Sequence, residues 1–566
     1  MKKILTKHFL VLIAFAIVFT GNAFAQDTVN VDPGFNTLLD AVNNNPGKVF
    51  RLQRGASYVI DQSIEINDPT TIIGEKGPED LPPASILRYA DVGIIPNTAD
   101  FAMQADLTFK YVAIIGWVTN NSTSYGMKVQ LLKNSIAITY DHCNFYNNYM
   151  IFNTGGKDSL TLNFTNNLFW GEYNFTWWNG GYLGYWAGDY DNFNFINNTI
   201  FGGGRVFDNL GAGPHGKQTF IHNTYVNLNA EIYYLRYDKD FIVQNNIFYN
   251  VYNRGFVGTR PEWGYGGDYV NVSTDTLEGC IDIHPLGPDG DSLDVDDYAR
   301  EVKVNNNLRY TTDRVLNKQK GITASWQPMF RPEVLGFIEK YGWKVQDNMF
   351  ETVENQVRTS GIDPQFAMAI PDEATDNVWM WHYGYRDSTY RDQVDVYPPF
   401  PSYDPINPAT GEKYTPSEVI WPIKDYIDLK PTNPEIQTAS DDGYPLGDLN
   451  WYGPKVVADW EAGLPYNPVS VEDKEVEIPT EFALNQNYPN PFNPTTKISY
   501  SLPEAGNVTL KVFNAIGQEV ATLVNQEQPA GNYSVNFDAS KLSSGVYMYR
   551  IEANGFTASK KMMLLK

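Results

Sequence analysis

Residues able to transfer protons or to bind a cation are concentrated between residues 186 and 268 of the sequence. Asp189 and Asp191 are two residues apart, so they would project from one face if this segment is a strand. Carboxylates can bind a divalent cation, and Arg, Lys or His can act as base or acid in proton transfer. The charged candidates of this segment are Asp189, Asp191, His215, Lys217, Arg236, Asp238 and Arg254.

Two reactions on a polysaccharide would use residues of these types. Hydrolysis with inversion needs one protonated and one ionised carboxyl group, about 6.5 to 9.5 Å apart. Elimination at a uronic acid needs a base near the C5 proton and a cation, such as Ca²⁺, that neutralises the sugar carboxylate. The mixture of cations and carboxylates favours elimination. It predicts as catalytic residues Arg236, Lys217, His215 and Arg254, and as Ca²⁺ ligands Asp189, Asp191 and Asp238.

Large aromatic residues lie near these charges and could stack on sugar rings. A hydrophilic turn would suffice for folding, so an aromatic loop here indicates either a substrate-binding surface or a lid that packs on the body of the protein. The candidates for substrate binding are Trp177, Trp178, Trp186, Tyr234 and Trp263.

The charged candidates also have structural interpretations. Arg236 and Asp238 can form a surface ion pair, and Asp189 with Asp191 can cap a turn. A tract that begins at Asp289 could bind Ca²⁺, but Leu293 stands where an EF-type loop needs an oxygen ligand, and the sixth position is not Gly. A solvated acidic loop is the simpler interpretation of that tract.

Composition limits the class of partner and the source of stability. The formal net charge of −24 would repel the phosphates of a nucleic acid, so nucleic acid is excluded as a partner. Aromatic residues make up 14% of the chain, which suits strands better than helical bundles. The two cysteines, Cys143 and Cys280, cannot form a disulfide framework. They could form one bridge, or Cys143 could be a buried thiol, because it occupies an interior position of a repeat.

The repeat recurs from about residue 136 to 350 as alternating apolar residues, a polar pair that usually contains Asn, and another apolar residue. Short steps of 23 to 25 residues correspond to one coil of a solenoid, and longer steps include insertions. Asn tolerates left-handed backbone at a corner, and its amide can bond the next coil, so we expect one column of stacked Asn. The second polar position falls at Cys143, Asn167, Asn198, Asn223, Asn246, Asn307 and Asn348.

On these residues, and on weaker patterns upstream such as Thr71-Ile-Ile73-Gly74, residues 27–460 resemble the pectate-lyase-like right-handed parallel β-helix superfamily. The resemblance implies the fold, and implies that Arg or Lys often serves as the base of an elimination. His215 in Pro214-His215-Gly216 is similar to the Gly-His-Gly of polygalacturonases, but Pro214 replaces the first Gly and the consecutive Asp pair is missing. Hydrolysis of that type is therefore not implied.

The ends of the helical body are also predicted. Residues 35–42 have helical spacing suited to capping the first coil, and residues 329–341 form a short helix. The β-helix spans residues 26–350, and the Pro- and aromatic-rich residues 351–468 pack along it. Residues 1–25 show the basic start, apolar run and Ala-x-Ala site of a signal peptide. No later window has the roughly 20 apolar residues of a transmembrane helix, so we expect no transmembrane segment.

An acidic linker at residues 469–478 precedes a separate domain, residues 479–566, whose short alternating strands predict an Ig-like antiparallel β-sandwich. Its motif Leu484-Asn-Gln-Asn-Tyr-Pro-Asn-Pro-Phe492-Asn-Pro and its end Lys560-Lys-Met-Met-Leu-Leu-Lys566 are similar to the type IX secretion C-terminal sorting domain. That resemblance implies transport by the type IX machinery to the outer surface of a Gram-negative bacterium, or secretion from it.

Two hypotheses for function follow. The first is a secreted or cell-surface protein that binds or acts on an acidic polysaccharide, by lyase-type β-elimination if it is catalytic. The alternative is a non-catalytic surface adhesin or extracellular matrix protein that uses a long rigid body as a spacer. Fold alone does not separate them, because function depends on individual sites.

Overall fold

A computed structural model gives the structure of the protein. It describes residues 27–77, 81–88, 99–115, 117–118, 124–125, 129–146, 148, 151–172, 184–186, 190–203, 207–209, 215–228, 233–235, 238–251, 281–283, 297–315, 332–346, 362–370, 427–466, 482–487, 490 and 492–564. The chain divides into two compact units, Met1–Glu75 with Pro83–Tyr466 and Lys76–Pro82 with Asn467–Lys566. Within the described residues, no helix has the length and apolar character needed to cross a membrane. The predicted signal peptide and acidic linker lie outside these residues.

The first unit is a parallel β-helix, in which successive coils add strands to three sheets. Sheet 1 contains β1 (Thr28–Val31), β3 (Val49–Leu52), β6 (Thr70–Gly74), β9 (Leu107–Lys110), β14 (Ala137–Asp141), β17 (Leu160–Thr165), β20 (Tyr190–Ile196), β23 (His215–Ile221), β26 (Asp238–Gln244), β29 (Val302–Asn305) and β31 (Lys344–Gln346). Sheet 2 contains β2 (Gly34–Phe35), β4 (Ser57–Ile60), β7 (Ala84–Arg88), β10 (Val112–Ile115), β15 (Asn144–Tyr146), β18 (Leu168–Glu172), β21 (Thr199–Gly203), β24 (Thr224–Leu228), β27 (Ile247–Val251) and β30 (Leu308–Tyr310).

Sheet 3 contains β5 (Ile64–Ile66), β8 (Phe101–Met103), β13 (Val129–Leu131), β16 (Phe152–Asn153), β19 (Gly184–Trp186) and β22 (Phe207–Asn209). The strands β25 (Tyr233–Leu235) and β28 (Ile281–Ile283) form a parallel pair in the two coils that follow. A short antiparallel pair, β11 (Trp117–Val118) and β12 (Ser124–Tyr125), belongs to an insertion.

The part of the chain that the structure describes contains three α-helices, and two of them fall where the sequence predicted helices. Helix α1 (Thr37–Asn44) follows β2 in the first coil and buries Leu38, Leu39 and Val42 in the main core. Helix α2 is Pro332–Tyr341 and α3 is Pro454–Glu461. Two 3₁₀ turns, Pro434–Ile436 and Leu449–Tyr452, precede α3.

Aromatic rings stack from coil to coil inside the β-helix. The ring of Tyr140 is 5.1 Å from that of Phe109 and 5.2 Å from that of Phe164, and both pairs are nearly parallel. Phe145 and Phe169 stack at 4.5 Å in the next column. Because equivalent residues lie above one another, the inward apolar positions of the repeat form continuous stacks, as predicted.

The expected column of buried asparagines is confirmed. The side-chain amide of Asn167 donates to Asn198 Oδ1 at 2.9 Å, and the contact repeats from Asn198 to Asn223 at 3.1 Å and from Asn223 to Asn246 at 2.9 Å. Asn246 in turn donates to Asn307 at 2.8 Å, and the next predicted position, Asn348, lies outside the described residues. Each oxygen also accepts the backbone N–H of the residue before it in the column. The amide nitrogens of these residues also donate to backbone carbonyls of the preceding coil.

One detail of the prediction was wrong, because left-handed backbone and the ladder belong to two adjacent residues. The residue before each ladder position has positive φ, as in Asn166 (59°), Asn197 (58°) and Asn245 (60°), while the ladder residues themselves do not. His142 (54°) and His222 (55°) occupy the same position in two other coils. The first residue turns the chain, and the second points inward and forms the ladder.

Cys143 occupies the ladder position before Asn167 and is a buried free thiol, as predicted. Its backbone N–H donates to Asn167 Oδ1 at 2.8 Å. Burial raises the pKa of the thiol to about 12. The partner considered for a disulfide, Cys280, lies outside the described residues.

A C-terminal segment, residues 427–466, lies on the outer face of sheet 2, and we call it the clasp. Outward side chains of successive strands, such as Trp170 and Phe201, stack at 4.3 Å and form one apolar cluster with Ile427, Leu429 and Trp451 of the clasp. Without the clasp, this stripe of large apolar side chains would face water, which monomeric proteins avoid.

Polar contacts fix the position of the clasp. The Thr199 hydroxyl donates to Asp448 Oδ2 at 2.7 Å, and the Trp451 indole N–H donates to the same hydroxyl at 2.8 Å. His222 lies 2.9 Å from Asp442, through Nε2 and Oδ2. Burial would raise the pKa of Asp442, but the hydrogen bond and charge of His222 hold that pKa well below its ordinary value.

The second unit is an antiparallel sandwich, which confirms the predicted fold class. One sheet contains β32 (Ala483–Leu484), β33 (Thr495–Leu502) and β36 (Gly531–Asp538). The other contains β34 (Gly506–Asn514), β35 (Glu519–Gln528), β37 (Gly545–Ala553) and β38 (Phe556–Leu564). Ile498 and Tyr500 of the first sheet share a core with Leu510 and Tyr549 of the second.

We predict that Asn223→Leu destabilises the β-helix by about 2 to 6 kcal/mol, because the backbone N–H of Asn198 and the carbonyl of Phe195 would lose their buried partner. The free energy of unfolding in urea measures this loss. Asn194→Ala is the control, since Asn194 donates to Asn163 on the half-buried outer face, where water can replace it. We expect it to cost less than about 1 kcal/mol. Equal losses would contradict the proposed role of the ladder.

Asp448 should make stability depend on pH. Burial raises its pKa from 3.8 to about 7, so the folded protein keeps a proton that the unfolded chain releases. The stability from this group is complete below about pH 4 and is lost as the pH rises through about 7. Relative to Asp448→Asn, the wild type should lose roughly 1.4 kcal/mol per pH unit across that window. Urea unfolding of both proteins at several pH values tests this. If the free energy of unfolding changed with pH in the same way in both proteins, the prediction would be refuted.

Candidate functional site

Backbone register brings several of the predicted charged residues to one edge of sheet 1. His215 begins β23 and pairs with Asp238 at the start of β26. Two residues later, Lys217 pairs with Asp240 on one side and with Asn192 on the other. Because residues two apart share a face of a strand, these positions form neighbouring rows on successive coils. We call this the N-terminal edge of sheet 1.

The described side chains of this edge are polar and accessible. Asp191 is exposed, and the Lys217 ammonium lies 3.8 Å from Glu301 Oε2. Asp240 Oδ1 accepts the backbone N–H of Glu301 at 2.9 Å. The Lys217 and Glu301 side chains are 40% and 54% exposed, so this pair contributes little stability and is free to exchange partners.

A bulge shapes the same edge. Leu160 pairs with Tyr190 and Thr161 pairs with Asn192, so Asp191 is the extra residue in β20. Gly216 passes directly beside it, and a Cβ on Gly216 would lie 2.1 Å from the Asp191 carbonyl oxygen. Bulges re-aim side chains at the edges of sheets, and here the bulge directs Asp191 into solvent.

The aromatic candidates that fall in described strands belong to sheet 3 and its extension. Trp186 ends β19 and pairs with Asn209, and Tyr234 pairs with Asp282. In the sequence, these two strands come before β20 and β26 of sheet 1. The candidates outside the described residues are Trp177, Trp178, Asp189, Arg236, Arg254 and Trp263.

The described residues include no group of three or more His, Cys, Asp or Glu side chains placed to hold a metal ion. Asp297, the last residue of the acidic tract, is buried and accepts a hydrogen bond from Arg300 at 3.0 Å, so it has a structural role. The prediction that Asp189, Asp191 and Asp238 bind Ca²⁺ stays a prediction.

The middle of the outer face of sheet 1 carries one row of hydroxyl and amide side chains. Strand register aligns Thr71 with Thr108, and continues through Thr139, Asn163 and Asn194. The Asn163 amide donates to Thr139 Oγ1 at 3.2 Å, and the Asn194 amide donates to Asn163 Oδ1 at 2.9 Å. The row therefore offers one polar group per coil, at the spacing of about 4.8 Å between strands.

The opposite, C-terminal edge of sheet 1 carries a cluster that the sequence analysis missed. Asp141 Oδ1 lies 2.8 Å from His142 Nδ1 and 3.0 Å from the Thr165 hydroxyl, and Asp141 Oδ2 lies 3.2 Å from the Lys110 ammonium. The ring of Tyr111 is 4.9 Å from that of His142. Burial would raise the pKa of Asp141, but the hydrogen bond from His142 and the charges around it hold that pKa well below its ordinary value.

A sequence signal for this cluster existed. The residue before each ladder position is Asn in most coils, and His142 replaces that Asn directly after a carboxylate. His222 also holds this position but follows Ile221, so the imidazole directly after a carboxylate distinguishes the coil of His142.

Comparison with known proteins identifies the second unit. Residues 486–565 match the family described as Secretion system C-terminal sorting domain. The chain therefore carries a type IX sorting domain, as its sequence predicted, and is a secreted or cell-surface protein. No curated protein matches the chain. Among solved structures, it is similar to a PL6 family alginate lyase, AlyGC, at 14% identity and a TM-score of 0.23, over 40% of this chain and 36% of that chain.

We predict that Gly216→Ala destabilises the β-helix by about 1 to 3 kcal/mol, because the added methyl group collides with the backbone of the bulge at Asp191. Urea unfolding measures the change. The matched control is Gly336→Ala in helix α2, where a Cβ meets nothing within 4 Å. That substitution should stabilise the protein by up to about 1 kcal/mol. If Gly216→Ala left the free energy of unfolding unchanged, β20 and β23 would have to separate easily at this edge.

Proposed function

We propose that this protein is delivered to the outer surface of a Gram-negative bacterium, or released from it, and that its β-helix binds an acidic polysaccharide and cleaves it by β-elimination. The outer face of sheet 1 is the observation that supports the proposal most. A polar row from Thr71 to Asn194 runs between two edges, and each edge carries a lysine, Lys217 or Lys110.

An extended polysaccharide that lies across the strands would meet a new hydroxyl or amide side chain at every coil. Such groups both donate and accept, so they suit the hydroxyls of sugar rings. The lysines at the edges supply positive charge for uronate carboxylates, which a net charge of −24 would otherwise repel. Sugar rings would also stack on the predicted aromatic residues Trp177, Trp178, Trp186, Tyr234 and Trp263.

Elimination follows from the chemistry of a uronic acid. A base takes the C5 proton, the electron pair forms a C4–C5 double bond, the C4–O bond breaks, and the leaving oxygen takes a proton. At the N-terminal edge, the residues proposed to bind carboxylates or transfer protons are His215, Lys217, Arg236 and Arg254. Asp189, Asp191 and Asp238 are proposed to hold Ca²⁺, which would neutralise the uronate carboxylate.

A different observation favours a second function, that of a non-catalytic adhesin or matrix protein. The unbroken column from Asn167 to Asn307 and the stacked rings beside it make the body stiff along its axis, as a spacer requires. A protein of this kind would bind glycans without producing an unsaturated sugar.

The test incubates the full-length chain with pectate, alginate and chondroitin, with and without Ca²⁺, and follows the ultraviolet absorbance of the unsaturated product. We expect product on one of them, and a roughly tenfold higher KM for Lys217→Ala. Lys455→Ala, an exposed clasp lysine paired with Asp459, is the control and should change neither constant. Binding without product would favour the spacer function. Neither binding nor product on any of the three would refute the proposal.

A further inference from the structure

We infer that His142 is the catalytic base of the proposed elimination and that Asp141 positions it, at the C-terminal edge of sheet 1. The inference rests on the proposed function and makes it more specific. It leaves Lys217 and the other cations of the N-terminal edge to hold uronate carboxylates. The argument depends on the orientation of the imidazole, its accessibility and its charged surroundings.

Asp141 fixes the orientation of the ring. Its carboxylate accepts hydrogen bonds from His142 Nδ1, the Thr165 hydroxyl and the Asn166 amide, at 2.8, 3.0 and 3.2 Å. Because an ionised carboxylate is an acceptor only, the proton of neutral His142 is on Nδ1. The lone pair is therefore on Nε2, the nitrogen that faces away from Asp141. A carboxylate that holds an imidazole in one tautomer is the arrangement that general bases use.

His142 is accessible, whereas the clasp covers the equivalent corners of the four coils that follow. The clasp hydrogen-bonds to the same corner position in neighbouring coils, through Glu461 to Asn166, Leu449 to Asn197, Asp442 to His222 and Asp441 to Asn245. Among the described residues of the clasp, none hydrogen-bonds to His142. Its side chain is 33% exposed, whereas that of His222 is fully buried.

Lys110 adds the charge that the reaction needs. Its ammonium shares the Asp141 carboxylate with His142, at 3.2 Å from Oδ2, and its side chain is 26% exposed. A uronate that approaches His142 would thus meet a cation on the same carboxylate. The Tyr111 ring packs against the imidazole of His142, with 4.9 Å between the ring centroids.

The step balances without another reactant. The C5–H bond breaks and its proton moves to His142 Nε2, the electron pair forms the C4–C5 double bond, the C4–O bond breaks, and the leaving oxygen takes a proton from water. His142 then returns its proton to solvent.

The decisive variant is His142→Asn. Asn166, Asn197 and Asn245 adopt the same left-handed backbone at the same corner, so the substitution suits the backbone, and it removes the imidazole with its contacts to Asp141 and Tyr111. We expect kcat to fall by about 100-fold or more, with KM for the cleaved polysaccharide unchanged. The unfolding midpoint should shift little, because the contact between His142 and Asp141 is partly exposed. His142→Gly with added imidazole should recover part of kcat. Asp141→Asn should lower kcat less than His142→Asn does and leave KM unchanged, because the imidazole stays but loses its ionised partner, while the contacts of Asp141 to Lys110 and Thr165 also weaken.

His222→Asn is the matched control, because it removes an imidazole at the equivalent corner beneath the clasp. It should lower stability, since it breaks the contact to Asp442, but leave kcat unchanged. Wild-type kcat in folded His142→Asn would overturn this inference and leave the proposed function standing. Absence of unsaturated product from the wild type would overturn the inference together with the elimination, and retained binding would then leave only the glycan-binding part.

Discussion

The burial of backbone polar groups at the corner between sheets 1 and 2 is the constraint on which this structure depends. Each coil must turn sharply there, and the turn leaves an N–H and a carbonyl pointing into the bore. The amide of one Asn satisfies both, as Asn198 does for the N–H of Asn167 and the carbonyl of Phe164. The same Asn also bonds the Asn of the next coil. The hydrogen bonds that satisfy each corner therefore hold successive coils in one register, and equivalent residues align on every face.

That alignment stabilises the interior of the β-helix and also places similar side chains in rows on its outer faces. Inward positions become apolar stacks, but outward positions align as well, and on sheet 2 they produce a stripe of large side chains from Val59 to Val226. The clasp covers this stripe and also occupies most of the polar corner positions beside it. On the outer face of sheet 1, the described hydroxyls and amides of the row from Thr71 to Asn194 are half-buried and so partly accessible. Function is therefore proposed on this face.

Much of this architecture could be predicted from the sequence, because its cause is repeated. The Asn positions and the apolar residues around them gave the coils, and the turn residues between residues 495 and 564 gave the strands of the sorting domain. The clasp could not be assigned to its partners in this way. Thr199 and Asp448 are 249 residues apart, and nothing in either local pattern identifies the other.

Some residues of the candidate sites could likewise be identified from the sequence, and others could not. Lys217 and Asp191 were identifiable as charges in strand-like segments, but Glu301 was not, because an insertion puts it 61 residues from its neighbour Asp240. Asp141 and His142 were visible only as members of the repeat. Their chemistry depends on Lys110 from the preceding coil and Thr165 from the following one, so it exists only once three coils have stacked.

The direction of the asparagine ladder has a consequence for how an exported chain matures. In every contact, the corner of one coil is completed by the oxygen of the coil that comes later in the chain, from Asn198 for Asn167 to Asn307 for Asn246. A corner therefore lacks its hydrogen-bond partner until the following coil has stacked on it. The clasp follows these coils in the sequence, and it packs on a wall that exists only when they are in place.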